Sequence, residues 1–172
     1  MSKGTKITIV TASALVVIVA VFAWLNRDYI APRREAQAAG IFFVNAGGQE
    51  LTVSMDDLLG LSPSDIIANF RSSGRAAEAR IYQGVSLRDI VESLGIDYSG
   101  YSSVVFMAAD GFASVLPISE AMDGNACYIA IALENVPLGT RERGGDGPFM
   151  MIKPHDIFSL RWCKYLLEVR FQ

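Results

Sequence analysis

The sequence has few of the residues that build metal sites and disulfide frameworks. Its 172 residues include 2 Cys and 1 His, and no Cys-x-x-Cys, His-x-x-His or Glu-x-x-His spacing occurs in it. These absences argue against haem attachment, structural zinc and a small disulfide-stapled fold. The Gly-x-Ser-x-Gly motif is absent too, so a serine hydrolase of the nucleophile-elbow type has no support.

The chain also lacks an excess of positive charge. It carries 15 Lys+Arg against 18 Asp+Glu, a formal net charge of −3. Residues 41–172 hold 10 basic and 16 acidic residues, whereas residues 1–40 hold 5 basic and 2 acidic ones. Domains that bind nucleic acid present a basic stripe or patch, and none is found here. We therefore expect no nucleic-acid partner, and an acidic domain behind a basic N-terminal segment.

Charged residues are absent from residues 7–25, which form a long apolar run. As a helix rising about 1.5 Å per residue, this run reaches roughly 28 Å, close to the hydrocarbon thickness of a bilayer. A short basic stretch before such a run, followed by a whole domain, is typical of a signal anchor. We therefore predict a single-pass protein of the cell membrane whose C-terminal domain lies outside the cytoplasm. Ala36-Gln-Ala38 is similar to a signal-peptidase site, which leaves a cleaved signal as the alternative.

The sequence thus divides into four parts. We predict a short basic N-terminus at 1–6, a transmembrane signal anchor at 7–25, a tether at 26–40 and one folded domain at 41–172. The 132 residues of the last part are a typical length for a single domain.

Short apolar runs separated by turn residues predict mainly strands in this domain. One clear helix is predicted at 87–94, because Ser86 is a good N-cap and Gly95 ends the helical spacing. A short helical turn is predicted at 55–61. The residues 159–171 alternate for much of their length and predict a long closing strand, with Leu160, Trp162 and Lys164 on one side. The remaining predicted strands are 41–45, 50–54, 65–72, 76–82, 103–108, 113–118, 126–133 and 148–152. The fold class is therefore a mixed, strand-rich α+β domain with few helices.

The two cysteines allow three interpretations. Cys127 and Cys163 each lie in an apolar strand candidate, where a buried free thiol behaves as a small hydrophobe. An even count in an extracytoplasmic domain also permits a disulfide, and a metal ligand is the third alternative.

A glycine-rich segment at 134–147 carries Arg141 and Arg143 beside Gly144 and Gly145. Guanidinium groups and backbone amides in a flexible segment can close over an anionic group. The alternative is an exposed loop in which the two arginines pair with nearby acidic residues.

Five landmarks in order carry a resemblance to a known family. They are Tyr82-Gln-Gly-Val-Ser-Leu-Arg-Asp-Ile-Val, Ala109-Asp-Gly-Phe112, Leu116-Pro117, Gly144-Gly-Asp-Gly-Pro-Phe149 and Arg161-Trp-Cys-Lys-Tyr-Leu166. Over residues 50–171 the chain resembles the sulfite-oxidase-type molybdopterin-binding domain. The resemblance implies that fold, and a molybdopterin or another anionic pterin-like ligand as cofactor. It also implies cofactor-binding positions at Asp110, Gly111, Arg141, Arg143 and Lys164.

The chain departs from the family pattern at two positions. Catalytic members present a cysteine thiolate to molybdenum from the strand before the Gly-Val-Pro-Leu helix. Residues 67–74 of this chain contain no cysteine, and the nearest substitutes are the hydroxyls of Ser72 and Ser73. A neutral hydroxyl is a poorer ligand than a thiolate for so soft a site, which argues against bound molybdenum. Met150 stands where the family has an arginine. No residue is therefore assigned as catalytic or as a metal ligand.

These observations lead to one hypothesis and two alternatives. The hypothesis is a membrane-anchored, extracytoplasmic domain that binds a ligand or a partner without the molybdenum-ligating cysteine. The first alternative is an active molybdenum-cofactor oxidoreductase with a ligand other than cysteine. The second is a cofactor-free scaffold. A redox or scaffold protein of the cell envelope is the expected partner.

Overall fold

The computed structural model describes residues 3–72 and 74–172, and the chain divides into two units, residues 1–35 and 36–172. Helix α1 (Lys3–Ala38) includes most of the segment predicted as a tether. The side chains from Thr8 to Trp24 are exposed. The span predicted at 7–25 lies within α1, and no helix in the described part of the chain is long and apolar enough to cross a membrane. The side chains of Ile7 and Leu25, which bound the predicted span, lie outside the described set.

The first sheet has the two ends of the domain at its centre. Its five strands, in spatial order, are β2 (Gln49–Ser54), β1 (Ile41–Ala46), β10 (Leu166–Phe171), β5 (Ser103–Ala108) and β6 (Ala113–Pro117). Strands β1 and β10 are parallel, and the other neighbours are antiparallel. The predicted hairpin at 41–54 is confirmed. Its turn residues Gly47 and Gly48 have φ of 59° and 81°, the left-handed region that a tight hairpin turn requires.

The second sheet packs beside the first and contains the strands of the middle of the chain. Its path is β3 (Ser64–Phe70), β4 (Glu78–Ser86), β7 (Tyr128–Leu133) and β8 (Val136–Pro137), and β9 (Met150–Ile152) also pairs with β7. The predicted antiparallel pair of β3 and β4 is confirmed, although its turn residue Ser73 lies outside the described residues. The segment 134–147, predicted as irregular, contains β8 and a short 3₁₀ helix at Arg141–Arg143.

Three short helices complete the domain. The predicted capped helix is confirmed as α3 (Leu87–Ser93), and the Ser86 hydroxyl accepts a hydrogen bond of 3.1 Å from the Asp89 backbone N–H. Helix α2 (Met55–Gly60) matches the predicted helical turn and begins with a capping box of Ser54 and Asp57. Helix α4 (Ile118–Ala121) was not predicted. Strands thus outnumber helices, as the α+β prediction requires.

The predicted closing strand at 159–171 is wrong in its first half. Residues Ser159–Arg161 form a 3₁₀ helix, and only Leu166–Phe171 is a strand. Between them, Cys163 forms a single bridge with Met151, and Tyr165 has a φ of 54°. A left-handed residue cannot continue a strand, so the alternation of side chains there does not come from a ladder.

Candidate functional site

A pocket of about 290 Å³ opens where β3 ends and where the segment between β9 and β10 crosses the second sheet. This volume is at the lower end of the roughly 300–1,000 Å³ typical of small-molecule sites. The lining is mostly aromatic and apolar, with one carboxylate, one hydroxyl and one ammonium group. Its residues are Phe70, Asp110, Phe112, Met150, Ser159, Leu160, Trp162, Lys164 and Tyr165.

The backbone at Tyr165 explains why two successive side chains reach this pocket. In a strand, neighbouring side chains point to opposite faces. The left-handed φ of Tyr165 breaks that alternation, so Lys164 and Tyr165 both line the pocket. The Lys164 ammonium lies 2.8 Å from the Asp146 carboxylate and 5.7 Å from the centre of the Phe70 ring. The predicted site residue Lys164 therefore lies in the pocket as an ion-paired cation.

The turn at Asp110 and Gly111, two residues that the family resemblance implies for cofactor binding, joins β5 to β6 and reaches the same pocket. Gly111 has a φ of 91°, and one Asp110 carboxylate oxygen accepts a hydrogen bond of 3.1 Å from the Phe112 N–H. That bond fixes the carboxylate within the turn. Asp110 lines the pocket, while Gly111 only shapes the turn beside it. Sequence reasoning thus identified two residues from distant parts of the chain that the fold brings together.

The predicted arginines lie differently. Arg141 is 5.5 Å from the centre of the Tyr165 ring, so its guanidinium borders the pocket through that wall residue. Arg143 is exposed, and it is not among the residues that line the pocket. In the described part of the chain, no ion pair within 4 Å joins either arginine to Glu142 or Asp146. The exposed loop of that alternative is therefore present, but without those direct ion pairs among the described residues.

The glycines of this loop serve close packing of the chain on itself. A Cβ built on Gly147 would lie 2.7 Å from the Leu138 Cβ, and one on Gly145 would overlap the backbone of Leu138 and Gly139. Side chains at these two positions would force the loop apart. The glycine-rich segment thus holds Asp146 beside Lys164, and its glycines do not line the pocket.

The end of β3 is tied to the opposite pocket wall by a reciprocal contact. The Arg71 N–H donates to the Ser159 hydroxyl at 3.0 Å, and the Ser159 N–H donates to the Arg71 carbonyl at 3.1 Å. The Arg71 guanidinium carbon lies 4.6 Å above the Phe158 ring, and its buried Nε has no hydrogen-bond partner in the described structure. Ser72, one of the two serines in the segment where the resemblance implies a thiolate, follows directly along the chain. It is half-buried and is not among the pocket-lining residues.

Sequence reasoning missed most of the pocket walls. Phe70 and Ser159 were not singled out, Phe112 and Tyr165 were named only as members of the family landmarks, and Met150 was identified as a departure from the family. The predicted strand alternation grouped Leu160, Trp162 and Lys164, and all three line the pocket, although residues 159–165 do not form a strand.

Neither thiol belongs to the pocket. Cys127 and Cys163 are both free and fully buried, so the interpretation as buried small hydrophobes is confirmed and the disulfide is wrong. Burial raises the pKa of the Cys127 thiol and the pKa of the Cys163 thiol to about 12.

A molybdenum cofactor has two parts, an organic pterin and the metal, and the pocket residues suit only the first. The aromatic walls of the pocket suit a flat heteroaromatic ring, and Asp110 and Lys164 supply an acceptor and a cation for polar substituents. The same walls contain no thiol for a soft metal, and within the described residues no three His, Cys, Asp or Glu side chains form a metal-binding group. The residues present fit an organic pterin and do not fit molybdenum held by a protein thiolate.

Comparison with known proteins supports the family and the fold that the sequence predicted. The family model described as the oxidoreductase molybdopterin binding domain matches residues 43–172. No curated protein matches the chain. Among solved structures, the sulfane dehydrogenase SoxCD from Paracoccus pantotrophus is similar, with a TM-score of 0.63 and 15% sequence identity. The similarity covers 76% of this chain and 37% of that chain, and at such low identity it shows a shared fold alone.

Proposed function

Because the chain belongs to the oxidoreductase molybdopterin binding domain family over residues 43–172, we propose that its pocket binds a pterin-type organic ligand without a protein thiolate on molybdenum. One observation carries this proposal. Two residues that the family resemblance implied for cofactor binding, Asp110 and Lys164, line one pocket with aromatic walls. Neither thiol of the chain lies in that pocket.

Each part of the lining has a role in holding such a ligand. The rings of Phe70 and Trp162 offer apolar faces on which a pterin ring stacks. The Asp110 carboxylate accepts hydrogen bonds from ring N–H groups. Lys164 lines the pocket, and Arg141 lies against the ring of the wall residue Tyr165. These two cations attract an anionic group such as a phosphate. The ligand is thus held by stacking and by charge.

The metal-free part of the proposal rests on the donor chemistry. The segment 67–74, where the resemblance implies a thiolate, offers only the hydroxyls of Ser72 and Ser73, and a neutral hydroxyl does not replace a soft anionic sulfur. Met150, which is fully buried in the pocket wall, replaces an arginine with an uncharged thioether. The pocket therefore has less positive charge and weaker donors than a molybdenum site of the family type.

Attachment to the cell membrane, with residues 41–172 outside the cytoplasm, is also part of the proposal. It rests on the sequence alone, namely the uncharged run at 7–25 behind two lysines. An envelope redox or scaffold protein is the partner that such a location favours.

The test is to express the full chain in a host that makes the molybdenum cofactor and to analyse the purified protein. We expect released and oxidised pterin, measured by fluorescence, close to one per chain, and molybdenum, measured by mass spectrometry, far below one. Lys164→Ala should lower the pterin content at least threefold, because it removes the pocket-lining cation.

Arg88→Ala is the matched control, because Arg88 is exposed and pairs only with Glu92 on α3. Its pterin content should equal that of the unmodified chain. Stoichiometric molybdenum would show that the thiolate is dispensable, and a protein free of pterin would remove the ligand-binding proposal.

A further inference from the structure

A closed loop beside the pocket exposes large apolar side chains. We define the 153–162 loop as residues 153–162, between β9 and β10. Ile157 is 75% exposed, Leu160 65% and Phe158 43%. Phe112, on the neighbouring turn, is 41% exposed and lines the pocket with Leu160. Single exposed apolar residues are ordinary, but three large ones on one loop, with a fourth that shares the pocket wall with Leu160, are a concentration of the kind that marks an interaction site.

The backbone of this loop is fixed at its two ends. The Trp162 indole N–H donates to the Lys153 carbonyl at 3.1 Å and closes the loop. The Lys153 ammonium, which is almost fully buried, lies 2.6 Å from the Glu120 carboxylate at α4. Arg161 donates to both Glu120 and Asp156 through its guanidinium. Exposed apolar residues on an immobilised loop lose little further entropy when a partner covers them.

The charges beside the loop indicate the chemistry of the partner. Arg71 stacks on Phe158, and Arg141 stacks on Tyr165 across the pocket. Neither arginine has a carboxylate within 4 Å in the structure as described, and the buried Nε of Arg71 has no acceptor. A buried donor without a partner is unfavourable, so an incoming carboxylate or carbonyl at this edge would be favoured.

We propose that the 153–162 loop and Arg71 form a docking surface for a short acidic segment of another protein, which places an apolar side chain against Ile157 and Leu160. The residues 41–172 carry 10 basic and 16 acidic residues, so a whole anionic bilayer would be repelled by most of the surface. A short segment meets only the arginine-bearing edge. A second copy of this chain would bring like charges together at the same edge.

The test uses the full chain as bait for a displayed library of random 12-residue peptides, with binding then measured by fluorescence anisotropy on synthetic copies. We expect enriched peptides to carry an aromatic residue or leucine within a few positions of Asp or Glu. Ile157→Ser should weaken their binding at least tenfold, and Arg71→Gln should do so for the acidic peptides but not for versions with Asn and Gln in place of the acidic residues.

Matched controls separate this surface from general stickiness and from the pocket. Leu59→Ser removes an apolar side chain that is 54% exposed on α2, and peptide binding should change less than twofold. Pterin content should be the same in the Ile157→Ser protein, since Ile157 is not among the pocket-lining residues. Failure of the pterin proposal therefore leaves this test intact.

Four results would overturn the inference: no enriched peptide, enriched peptides without acidic residues, peptide binding that Ile157→Ser does not change, or occupation of this surface by a second copy of the chain or by a membrane. For the last, light scattering would show a dimer that Ile157→Ser dissociates, or vesicles with anionic lipids would bind the protein through Ile157.

Discussion

Gly84 lies where two strands of the second sheet approach too closely for any side chain. A Cβ at this position would lie 2.8 Å from the Ala130 Cα on β7, next to the irregularity in the pairing of β4 with β7. The Ile129 carbonyl oxygen would be nearer still. Both neighbours are backbone groups, which cannot rotate away as a side chain can. Gly84 is the glycine of the Gly-Val-Ser-Leu landmark, so a motif recognised by resemblance has a steric cause in this chain.

Replacing this glycine should destabilise the domain. We expect Gly84→Ala to lower the free energy of unfolding by about 1–3 kcal/mol, the usual range for overpacking, because β4 and β7 must separate. Thermal or urea unfolding followed by circular dichroism measures the change. Gly60→Ala is the control, since a Cβ at Gly60 meets nothing within 4 Å, and its stability should be equal or higher. Equal stability of the two variants would contradict the steric explanation.

The buried thiols should be unreactive in the native protein. With the pKa of Cys127 and the pKa of Cys163 both raised to about 12 by burial, only about one thiol in ten thousand is a thiolate at pH 8. We expect no labelling by iodoacetamide at pH 8 over an hour, and two labels per chain in guanidinium chloride, counted by intact mass. Rapid labelling of either cysteine in the native protein would show that its thiol is exposed to solvent, which would contradict the burial described above.

Individual site residues were predictable from the sequence only where a turn or a motif marked them. Asp110 belongs to a hairpin turn and Lys164 to a terminal motif, and both line the pocket. Phe70 and Trp162 were not predicted as walls, because an aromatic residue in an apolar run has the same pattern whether it packs in a core or lines a pocket. Which of these it does depends on the crossing of distant segments, and periodicity carries no information about that.

At the scale of elements, hairpins and capped helices were predictable because their signals are local. The turn of Gly47 and Gly48 and the cap at Ser86 each depend on neighbours within a few residues. The segment between β9 and β10 could not be predicted in the same way. Its alternation looks like a strand, but its position is set by ion pairs to α4 and by the contact of Ser159 with Arg71.

The link between α4 and that segment should make stability depend on pH. Hydrogen bonds from Arg161, and then from Lys153, lower the pKa of Glu120. A lowered pKa in the folded state contributes stability above the unfolded pKa, and this contribution is lost as pH falls through the folded pKa. Glu120→Gln should therefore lower the free energy of unfolding most at pH 7. We expect about 2 kcal/mol, less than the roughly 3–5 kcal/mol of fully buried pairs, because the carboxylate is 30% exposed.

The measurement is the difference in unfolding free energy between the two proteins from pH 7 to pH 3. That difference should narrow below pH 4.5, the ordinary pKa of Glu120, as its carboxylate takes up a proton in both states. Glu92→Gln, which breaks an exposed pair with Arg88, should change stability little at any pH. A difference that stays constant to pH 3 would exclude an electrostatic cause.

For the whole molecule, the proposal to be tested is its attachment to the membrane. We expect the full chain expressed in bacteria to sediment with membranes and to be released by detergent but not by 1 M salt or carbonate. Replacing Val16 and Val19 with Asp places two charges in the apolar run and should move the chain to the soluble fraction. Protease added outside spheroplasts should digest the domain, and protection from it would reverse the predicted orientation.

The order of strands in the first sheet has a consequence for how the domain is made. Strand β10 lies between β1 and β5, yet the ribosome synthesises it last of the ten. Two hairpins, β1–β2 and β5–β6, are therefore synthesised before the strand that joins them in the sheet. Each has an unpaired edge until β10 has been translated. Because pairing across such long stretches of chain is slow, nascent polypeptides would depend on chaperones until the final strand closes the gap.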